Sequence, residues 1–189
     1  MKLLENETVL LRALEPEDLD TLYRWENDTR LWRYGNTLAP YSRLSLKAYL
    51  SDARLDIFQS RQLRLMIVLK AENAAVGAVD LYDFDPMNDR AGIGILIDEQ
   101  YRRRGIATRA LSLMKEYAFR FLRLKQIYAH VPERNEPSVK LFSNCGYEIT
   151  GKLIAWIKNE VDFENVYLMQ LVAPSGFNDS KINTKTAKM

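Results

Sequence analysis

Cysteine and histidine are nearly absent from this sequence. Each occurs once among 189 residues, as Cys145 and His130. One cysteine cannot form an internal disulfide, and a zinc module or a histidine-built metal site needs more of these residues. A Ser/His catalytic triad would have to use His130. The sequence therefore predicts no disulfide framework and no bound metal.

Long hydrophobic runs and a charge excess are absent as well. No apolar run approaches the roughly 18 residues that cross a bilayer. Glu5 and Glu7 interrupt the amino-terminal segment where a secretory signal would be apolar. Lysine and arginine number 27 against 25 aspartates and glutamates, which leaves a net charge of +2. This balance argues against nucleic acid or an anionic membrane as the main partner. We expect a cytoplasmic protein whose basic sites are local.

What the sequence does have is the composition of one globular domain. Hydrophobic residues make up 47% and charged residues 28% of the chain, which is typical of a folded protein. The length suits one domain. From Pro174 onward the residues are mostly polar and show no apolar period. We predict one domain over residues 1–173 and a mobile tail over residues 174–189.

The hydrophobic pattern predicts strands and helices around one sheet. Two helices follow the first strand, and an aromatic-rich loop with Trp32, Tyr34 and Tyr41 joins them. In a later strand, Gly92 and Gly94 indicate a bulge or a close backbone approach. The predicted fold class is α+β (α/β). Its remaining elements, in order, are a strand (8–14), a hairpin (63–81), a strand (91–97), a helix (107–122), a strand parallel to the previous one (125–131), a helix (137–144) and two strands (152–157 and 166–172).

The most informative segment is Arg102-x-x-Gly105-x-Ala107, between a strand and the start of a helix. Small residues at 105 and 107 let the chain pass close to a ligand, and the first N–H groups of a helix carry the positive end of its dipole. Arg103, Arg104 and Arg109 add positive charge. The pattern indicates a pyrophosphate-binding turn, and the alternative is a solvated basic turn that only begins a helix.

This turn resembles the signature of the GNAT superfamily of acyl-coenzyme A-dependent N-acetyltransferases, [Arg/Gln]-x-x-Gly-x-[Gly/Ala], within the run from Gln100 to Thr108. The segment from Asn135 to Tyr147 is similar to the family's Asn-x-x-[Ser/Ala]-x-x-[Leu/Ile]-[Tyr/Phe]-x-x-x-Gly-[Phe/Tyr]. The opening, Val9 to Leu14 and then an acidic helix with Trp25, resembles the branch of spermidine/diamine and ribosomal-protein N-terminal acetyltransferases. The resemblance implies a GNAT-like fold: a single mixed, mostly antiparallel sheet with a bulged, splayed parallel strand pair and flanking helices.

The resemblance also implies acetyl-CoA (coenzyme A) as co-substrate and assigns residues to it. The strand before the turn would offer main-chain groups to the pantetheine arm, and the amides of the turn would hold the pyrophosphate. Asn135 and Ser138 would lie beside the coenzyme, although a turn and a helix cap explain them equally well. The implied coenzyme-binding residues are Ile95, Leu96, Ile97, Arg102, Arg103, Arg104, Gly105, Ile106, Ala107, Thr108, Asn135, Ser138 and Phe142.

Two residues depart from the family pattern. Phe142 stands where the family often has a tyrosine whose hydroxyl protonates the leaving thiolate, and Gly92 stands where the related branch often has a glutamate. A thiol with a pKa of about 8.5 leaves tolerably without a dedicated acid. Substitutes for the missing hydroxyl are water or a candidate catalytic residue from the set Ser138, Tyr147 and Tyr128, of which we choose Ser138.

An attacking alkylammonium, with a pKa of about 10.4, must first lose a proton. Asp80 and Asp83 lie on the preceding strand, and three residues apart they would face opposite sides of a regular strand. We prefer Asp80, as the base or as an amine-binding residue; the alternative is that both are solvated edge charges. His130 is more typical of a packing residue in an alternating strand than of a catalyst.

The sequence thus predicts an N-acetyltransferase that passes an acetyl group from acetyl-CoA directly to an amine in a ternary complex. A polyamine fits the acidic stretch from Asp80 to Asp89, so a small-molecule amine is favoured over a protein N-terminus. The alternatives are a protein N-terminal acetyltransferase, a CoA-binding regulatory module without catalysis, and an RNA-binding domain, which the charge balance disfavours. The oligomeric state stays open, a homo-oligomer included.

Overall fold

The computed structural model describes residues 3–35, 37–52, 56–158 and 162–174, so nearly all of the predicted tail lies outside the described residues. One seven-stranded sheet has the order β1-β2-β3-β4-β5-β7-β6. Among the described strands, the β4/β5 pair is parallel and the other pairs are antiparallel, which confirms the predicted mixed sheet. The strands are β1 (Val9–Arg12), β2 (Leu63–Leu69), β3 (Ala74–Asp85), β4 (Arg90–Ile97), β5 (Gln126–Pro132), β6 (Glu148–Lys158) and β7 (Phe163–Val172).

Helices lie before the hairpin and between the later strands. The helix after β4 begins one residue earlier than predicted and continues as a π-type turn over Tyr117–Phe121. No helix formed by the described residues is long and apolar enough to span a bilayer. The helices are α1 (Leu19–Glu26), α2 (Thr29–Gly35), α3 (Arg43–Asp52), α4 (Ile57–Ser60), α5 (Ile106–Glu116) and α6 (Glu136–Asn144).

One local prediction was wrong. Trp32 and Tyr34, which we expected in a loop, lie in α2, whereas Tyr41 lies outside the helices. The carboxylate of Asp28 accepts a hydrogen bond from the backbone N–H of Arg30 at 3.0 Å, and such a cap starts a new helix directly after α1. A helix of seven residues is too short for its apolar period to show in the sequence.

The two faces of the sheet bury different amounts of apolar surface. The main core lies between the sheet and α5 and includes the fully buried Ile93, Leu111 and Ile127. On the opposite face a small cluster forms around Trp25 of α1 and Met66 of β2. Because side chains alternate along a strand, the same strands supply both faces. The α1 face keeps room for polar residues, and those residues form one half of the site.

Candidate functional site

The parallel strands β4 and β5 separate after a short paired stretch. Their pairing runs from Arg90 with Gln126 to Gly92 with Tyr128. Beyond Gly92 the residues of β4 pair with β3, and those of β5 beyond Tyr128 pair with β7. A wedge therefore opens toward the carboxyl ends of the two strands, as the predicted splay requires. In a parallel pair this end is where ligands of α/β units bind.

The expected bulge lies in β3 and not in the glycine-bearing strand β4. The β3/β4 register is continuous from Gly77 opposite Ile97 to Tyr82 opposite Gly92, and it shifts between Tyr82 and Asp85. Gly92 instead marks a close approach, the alternative that the sequence left open: a Cβ there would lie 2.2 Å from the ring of Tyr82. The glycine is required because an aromatic ring of the neighbouring strand lies over it.

The turn between β4 and α5 presents backbone N–H groups. Arg103 and Gly105 both have left-handed φ angles, +61° and +71°, and Gly105 is the N-cap residue of α5 without a side-chain hydrogen bond. Arg102 Nε donates to the carbonyl of Ile97 at 3.0 Å, and Arg104 donates to Glu72 at 2.8 Å. These bonds tie the turn to the sheet while the first amides of α5 stay uncapped, an arrangement suited to an anion.

The other residues that we assigned to the coenzyme divide between core and surface. Leu96 packs against the small cluster on the α1 face, and Ile95 and Ile97 pack against the main core. Ile106 is buried at the start of α5, Ala107 is half-buried and Thr108 is exposed. The side chains of the strand residues thus serve packing, which leaves their backbone groups as the parts that face the wedge.

Helix α6 supplies three of the assigned residues. The side chain of Asn135 accepts a hydrogen bond from the backbone N–H of Ser138 at 3.3 Å, so Asn135 caps the helix. Phe142 is buried and meets Tyr147 edge-on, with 5.0 Å between ring centroids. The hydroxyl of Tyr147 is buried and has no hydrogen-bond partner among the described residues. Burial raises the pKa of Tyr147, so that hydroxyl keeps its proton.

Charged residues occupy the α1 face beside the wedge. Arg64 of β2 donates to both oxygens of Asp80, at 2.5 and 3.3 Å, and to Glu26 of α1 at 2.5 Å. The guanidinium also lies 5.6 Å from the ring centroid of Tyr49. Burial opposes the charge on Arg64, but the two carboxylates outweigh it and raise its pKa. One guanidinium between two carboxylates leaves this group of three side chains with a net negative charge.

An aromatic group spans the mouth of the wedge. The ring of Tyr82 reaches from β3 over Gly92, and its hydroxyl lies 3.4 Å from Nδ1 of His130 on β5. Tyr128 meets both rings edge-on, at 6.1 Å from Tyr82 and 5.4 Å from His130. Burial raises the pKa of Tyr82 to about 12, and burial lowers the pKa of His130. At neutral pH this pair is a phenol beside a neutral imidazole.

The sequence analysis did not single out Tyr82, which the structure places beside His130. The signal for Tyr82 was its position two residues after Asp80, which places both on one face of β3. Asp83 lies in the bulge with a φ of +48°, so the alternation of a regular strand, from which we placed Asp80 and Asp83 on opposite sides, does not apply to it. Among the described residues, no group of three or more acidic, histidine or cysteine side chains is placed to hold a metal ion.

Comparison with known proteins agrees with this geometry. Residues 8–148 match the model of the acetyltransferase (GNAT) domain. Spermidine N(1)-acetyltransferase of Escherichia coli (strain K12) is 29% identical over 147 residues, which are 78% of this chain and 76% of that protein. The crystal structure of spermidine N-acetyltransferase from Vibrio cholerae in complex with CoA and spermine is similar with a TM-score of 0.79 at 25% identity, over 88% of this chain and 96% of that one.

A dodecameric structure of the Vibrio cholerae enzyme is similar with a TM-score of 0.76 at 25% identity, over 93% of this chain and all of that one, 100%. The family match, which spans most of the sequence, includes the splayed strands and the turn before α5. The chain therefore belongs to the GNAT acetyltransferases, enzymes that transfer an acetyl group from acetyl-CoA to nitrogen.

Proposed function

We propose that this enzyme acetylates a primary amine of a polyamine by direct attack in a ternary complex. The observation that carries the proposal is the wedge between β4 and β5, which joins an anion-binding turn at one side to a negatively charged face at the other. The relatives named as spermidine acetyltransferases support the same acceptor. A polycationic amine is attracted to such a face by electrostatic complementarity.

On the coenzyme side, the backbone of the turn from Arg102 to Thr108 would bind the pyrophosphate. The uncapped amides of α5 supply donors, and the left-handed Gly105 lets the chain pass close to the anion. Main-chain groups of Ile95, Leu96 and Ile97 would pair with the pantetheine arm, since these residues pair with β3 on one edge and with no described strand on the other. Acetyl-CoA itself supplies the acetyl thioester.

The remaining coenzyme assignments rest on α6. Asn135 uses its side-chain oxygen as a helix cap, so in this proposal it positions the start of α6, beside the coenzyme. Phe142 would contribute an apolar contact, because its buried ring has no hydroxyl to donate. Ser138 is half-buried, and its hydroxyl is the group we propose to protonate the departing thiolate.

On the acceptor side, Asp80 would bind an ammonium group of the polyamine. Both of its oxygens are engaged by Arg64, so fewer of its lone pairs are available to take a proton. Together with Glu26 it gives two negative charges against one positive charge. Recognition of a cation by this excess charge fits the arrangement better than proton abstraction by Asp80.

The test is acetyl transfer by the purified protein. Spermidine, a monoamine of similar length and a peptide with a free N-terminus are each incubated with acetyl-CoA, and release of the coenzyme thiol is followed. We expect kcat/KM to be highest for spermidine because the monoamine lacks the second charge. Turnover of the peptide alone would identify a protein N-terminal acetyltransferase. Binding of acetyl-CoA by calorimetry without turnover of any amine would identify a regulatory module.

We further propose that the chain forms a homo-oligomer in the cytoplasm. The related dodecameric structure supports self-association, and β6 at the sheet edge exposes Ile154 and Trp156, 69% and 62% accessible. Exposed apolar groups on an edge strand favour pairing with a second copy. Sedimentation equilibrium of the wild type and of Trp156→Glu measures this: the substitution should reduce the assembly, and an unchanged assembly would exclude this edge.

A further inference from the structure

Acetylation of an ammonium group needs a base that takes its proton. Position 92 of β4, beside the wedge, carries no side chain that could do so. Gly92 has no side chain, and the ring of Tyr82 fills the space above it. Asp80 is held by Arg64 on both oxygens. Among the described residues at the wedge, Tyr82 and His130 form a titratable pair in contact. His130 lies two residues beyond Tyr128, the last residue of β5 that pairs with β4.

The contacts of this pair orient its proton. Burial raises the pKa of Tyr82 and keeps its hydroxyl protonated, so the phenol has one O–H proton to donate. The ring nitrogen Nδ1 of His130 lies 3.4 Å from the Tyr82 oxygen and can accept that proton if the imidazole is the Nε2–H tautomer. Tyr128 packs edge-on against both rings and holds their relative positions.

The charged group that acts on His130 is Asp83 of β3. Burial lowers the pKa of His130 and the carboxylate of Asp83 works in the opposite direction. The residue opposite His130 on β7 is the apolar Leu168, and its neighbours on the same face are Tyr82 and Tyr128. Since burial prevails, the imidazole is neutral in the range where an enzyme of the cytoplasm works and is able to receive a proton.

We propose that Tyr82 and His130 form a proton relay that deprotonates the acceptor ammonium. The relay rests on the proposed amine acetylation. The phenol oxygen of Tyr82 takes a proton from the ammonium while its own O–H proton passes to Nδ1 of His130. The products of this step are a neutral amine, an intact phenol and an imidazolium. Because the ring of His130 is only partly buried, the imidazolium then releases the proton to water, and no oxidant or further reactant is consumed.

The free amine then attacks the acetyl carbonyl, forming the carbon–nitrogen bond. The carbon–sulfur bond breaks, and the second proton of the attacking nitrogen ends on the departing sulfur. The relay thus accounts for the one proton that the overall reaction releases. Its catalytic effect follows general base catalysis, which contributes about 10²–10⁴-fold to the rate.

The first measurement is NMR spectroscopy of the imidazole, which does not depend on turnover. Its signals need no assignment, because His130 is the single histidine of the chain. Two-bond ¹H–¹⁵N NMR of the imidazole in the wild-type protein should show the Nε2–H tautomer at pH 7.5 and a pKa below the usual 6.5. In Asp83→Asn, which keeps a residue tolerant of positive φ, the pKa should fall further because the carboxylate no longer favours the cation. In Tyr82→Phe the Nδ1 resonance should move. An Nδ1–H tautomer, or an Nδ1 resonance indifferent to Tyr82→Phe, would overturn the relay.

The second measurement is the pH dependence of acetyl transfer to spermidine. Wild-type kcat/KM should rise through the pKa of His130, several pH units below the titration of the amine, so the two limbs separate. His130→Gln should lose the lower limb and about 10²-fold in kcat, and Tyr82→Phe should lose at least about tenfold, both with unchanged coenzyme affinity. Tyr117→Phe, the same chemical change on a ring stacked against Phe121 in the π-type turn, is the control.

The outcomes separate the relay from the proposed function. If the wild type acetylates no amine, the proposed function fails, and the NMR measurement still decides whether the hydrogen-bonded pair exists. If the wild type acetylates spermidine and His130→Gln retains both kcat and the lower limb, the relay is wrong and the histidine only packs. Loss of rate in Tyr117→Phe as large as in Tyr82→Phe would likewise reduce the effect to general destabilisation.

Discussion

The turn before α5 and the charged face beside β3 are built from different parts of the polypeptide. The turn uses backbone groups of neighbouring residues, with Gly105 in a conformation that L side chains rarely adopt. The charged face uses side chains of α1, β2 and β3, joined by contacts such as Glu26 with Arg64, 38 residues apart. A ligand site made of backbone groups keeps its function when most of its side chains are substituted. A site made of side chains from distant parts of the sequence changes its specificity when any one of those side chains is substituted.

Coenzyme binding by the turn before α5 should be most sensitive to substitution at Gly105. A Cβ at Gly105 would lie 2.5 Å from Nη1 of Arg109, and φ is +71° there. Gly105→Val therefore distorts the turn. We expect the dissociation constant of coenzyme A, measured by calorimetry, to rise at least about tenfold, or ~1.4 kcal/mol. Gly151→Ala is the control, since its Cβ would meet Leu168 at an ordinary 3.7 Å. Unchanged affinity in a folded Gly105→Val would remove the turn from the coenzyme site.

The charged face beside β3 depends on the position of α1. The ion pair between Arg12 and the buried Asp18 holds the start of that helix in place. Asp18 is 4% exposed and accepts hydrogen bonds from Arg12 at 2.7 and 2.8 Å and from the backbone of Glu15 at 2.9 Å. Asp18→Asn should lower the free energy of unfolding by about 1 kcal/mol at pH 7, because Arg12 is partly hydrated and recovers some of the loss. Urea denaturation measures this, with coenzyme affinity expected to stay constant.

The same variant has a pH signature. Burial pushes the pKa of Asp18 up, but the hydrogen bonds from Arg12 and Glu15 outweigh it and the pKa lies below its usual value. Because the pKa of Asp18 is lower in the folded protein than in the unfolded chain, where it is about 3.9, the charged group stabilises the fold at pH values above about 3.9. That stability is lost as the pH falls through the folded-state pKa. The difference between wild type and Asp18→Asn should therefore shrink below about pH 4. A difference that stays constant in acid would show that the charge is irrelevant.

A smaller effect is expected where charge alone attracts the acceptor. Asp80→Asn keeps the size of the side chain and removes one of the two carboxylates around Arg64. We expect KM for spermidine to rise about threefold at low salt, with little change for a monoamine or for coenzyme affinity. An equal fall in kcat on every amine would instead make Asp80 the base and would contradict its role as a binding group.

The smallest effects are expected at the edge-on pair between α6 and β6. Phe142→Tyr restores a hydroxyl on a nearly isosteric ring, and we expect kcat to hold or rise within about threefold. Tyr147→Phe removes a buried hydroxyl without a partner among the described residues, and it should leave stability unchanged or slightly higher. Steady-state kinetics and thermal denaturation measure both. A large loss of kcat in Tyr147→Phe would make that hydroxyl the acid.

Several features of the site followed from local patterns in the sequence. The strand before Arg102 and the glycine turn lie next to each other in the chain, so periodicity and one left-handed residue suffice to predict them. The pairing of β4 with β5 followed from the helix between them, because a parallel pair needs such a crossover. The capping role of Asn135 was one of two readings that the sequence left open.

Other features depended on residues far apart in the chain. The sequence left a bulge and a close approach open at Gly92, because this glycine looks the same whether it bends its own strand or makes room for Tyr82. The bulge in β3 had no local pattern that marked it, and it interrupts the regular alternation at Asp83.

The sequence by itself determined the class of fold and the glycine turn before α5, because these depend on residue spacing and on backbone conformations that few residues adopt. Only the tertiary structure decided which side chains meet on the acceptor face. The contact of Tyr82 with His130 joins residues 48 positions apart. Register between strands comes from packing of the whole sheet, and a bulge such as the one in β3 changes the direction of the side chains that follow it, which local spacing does not show.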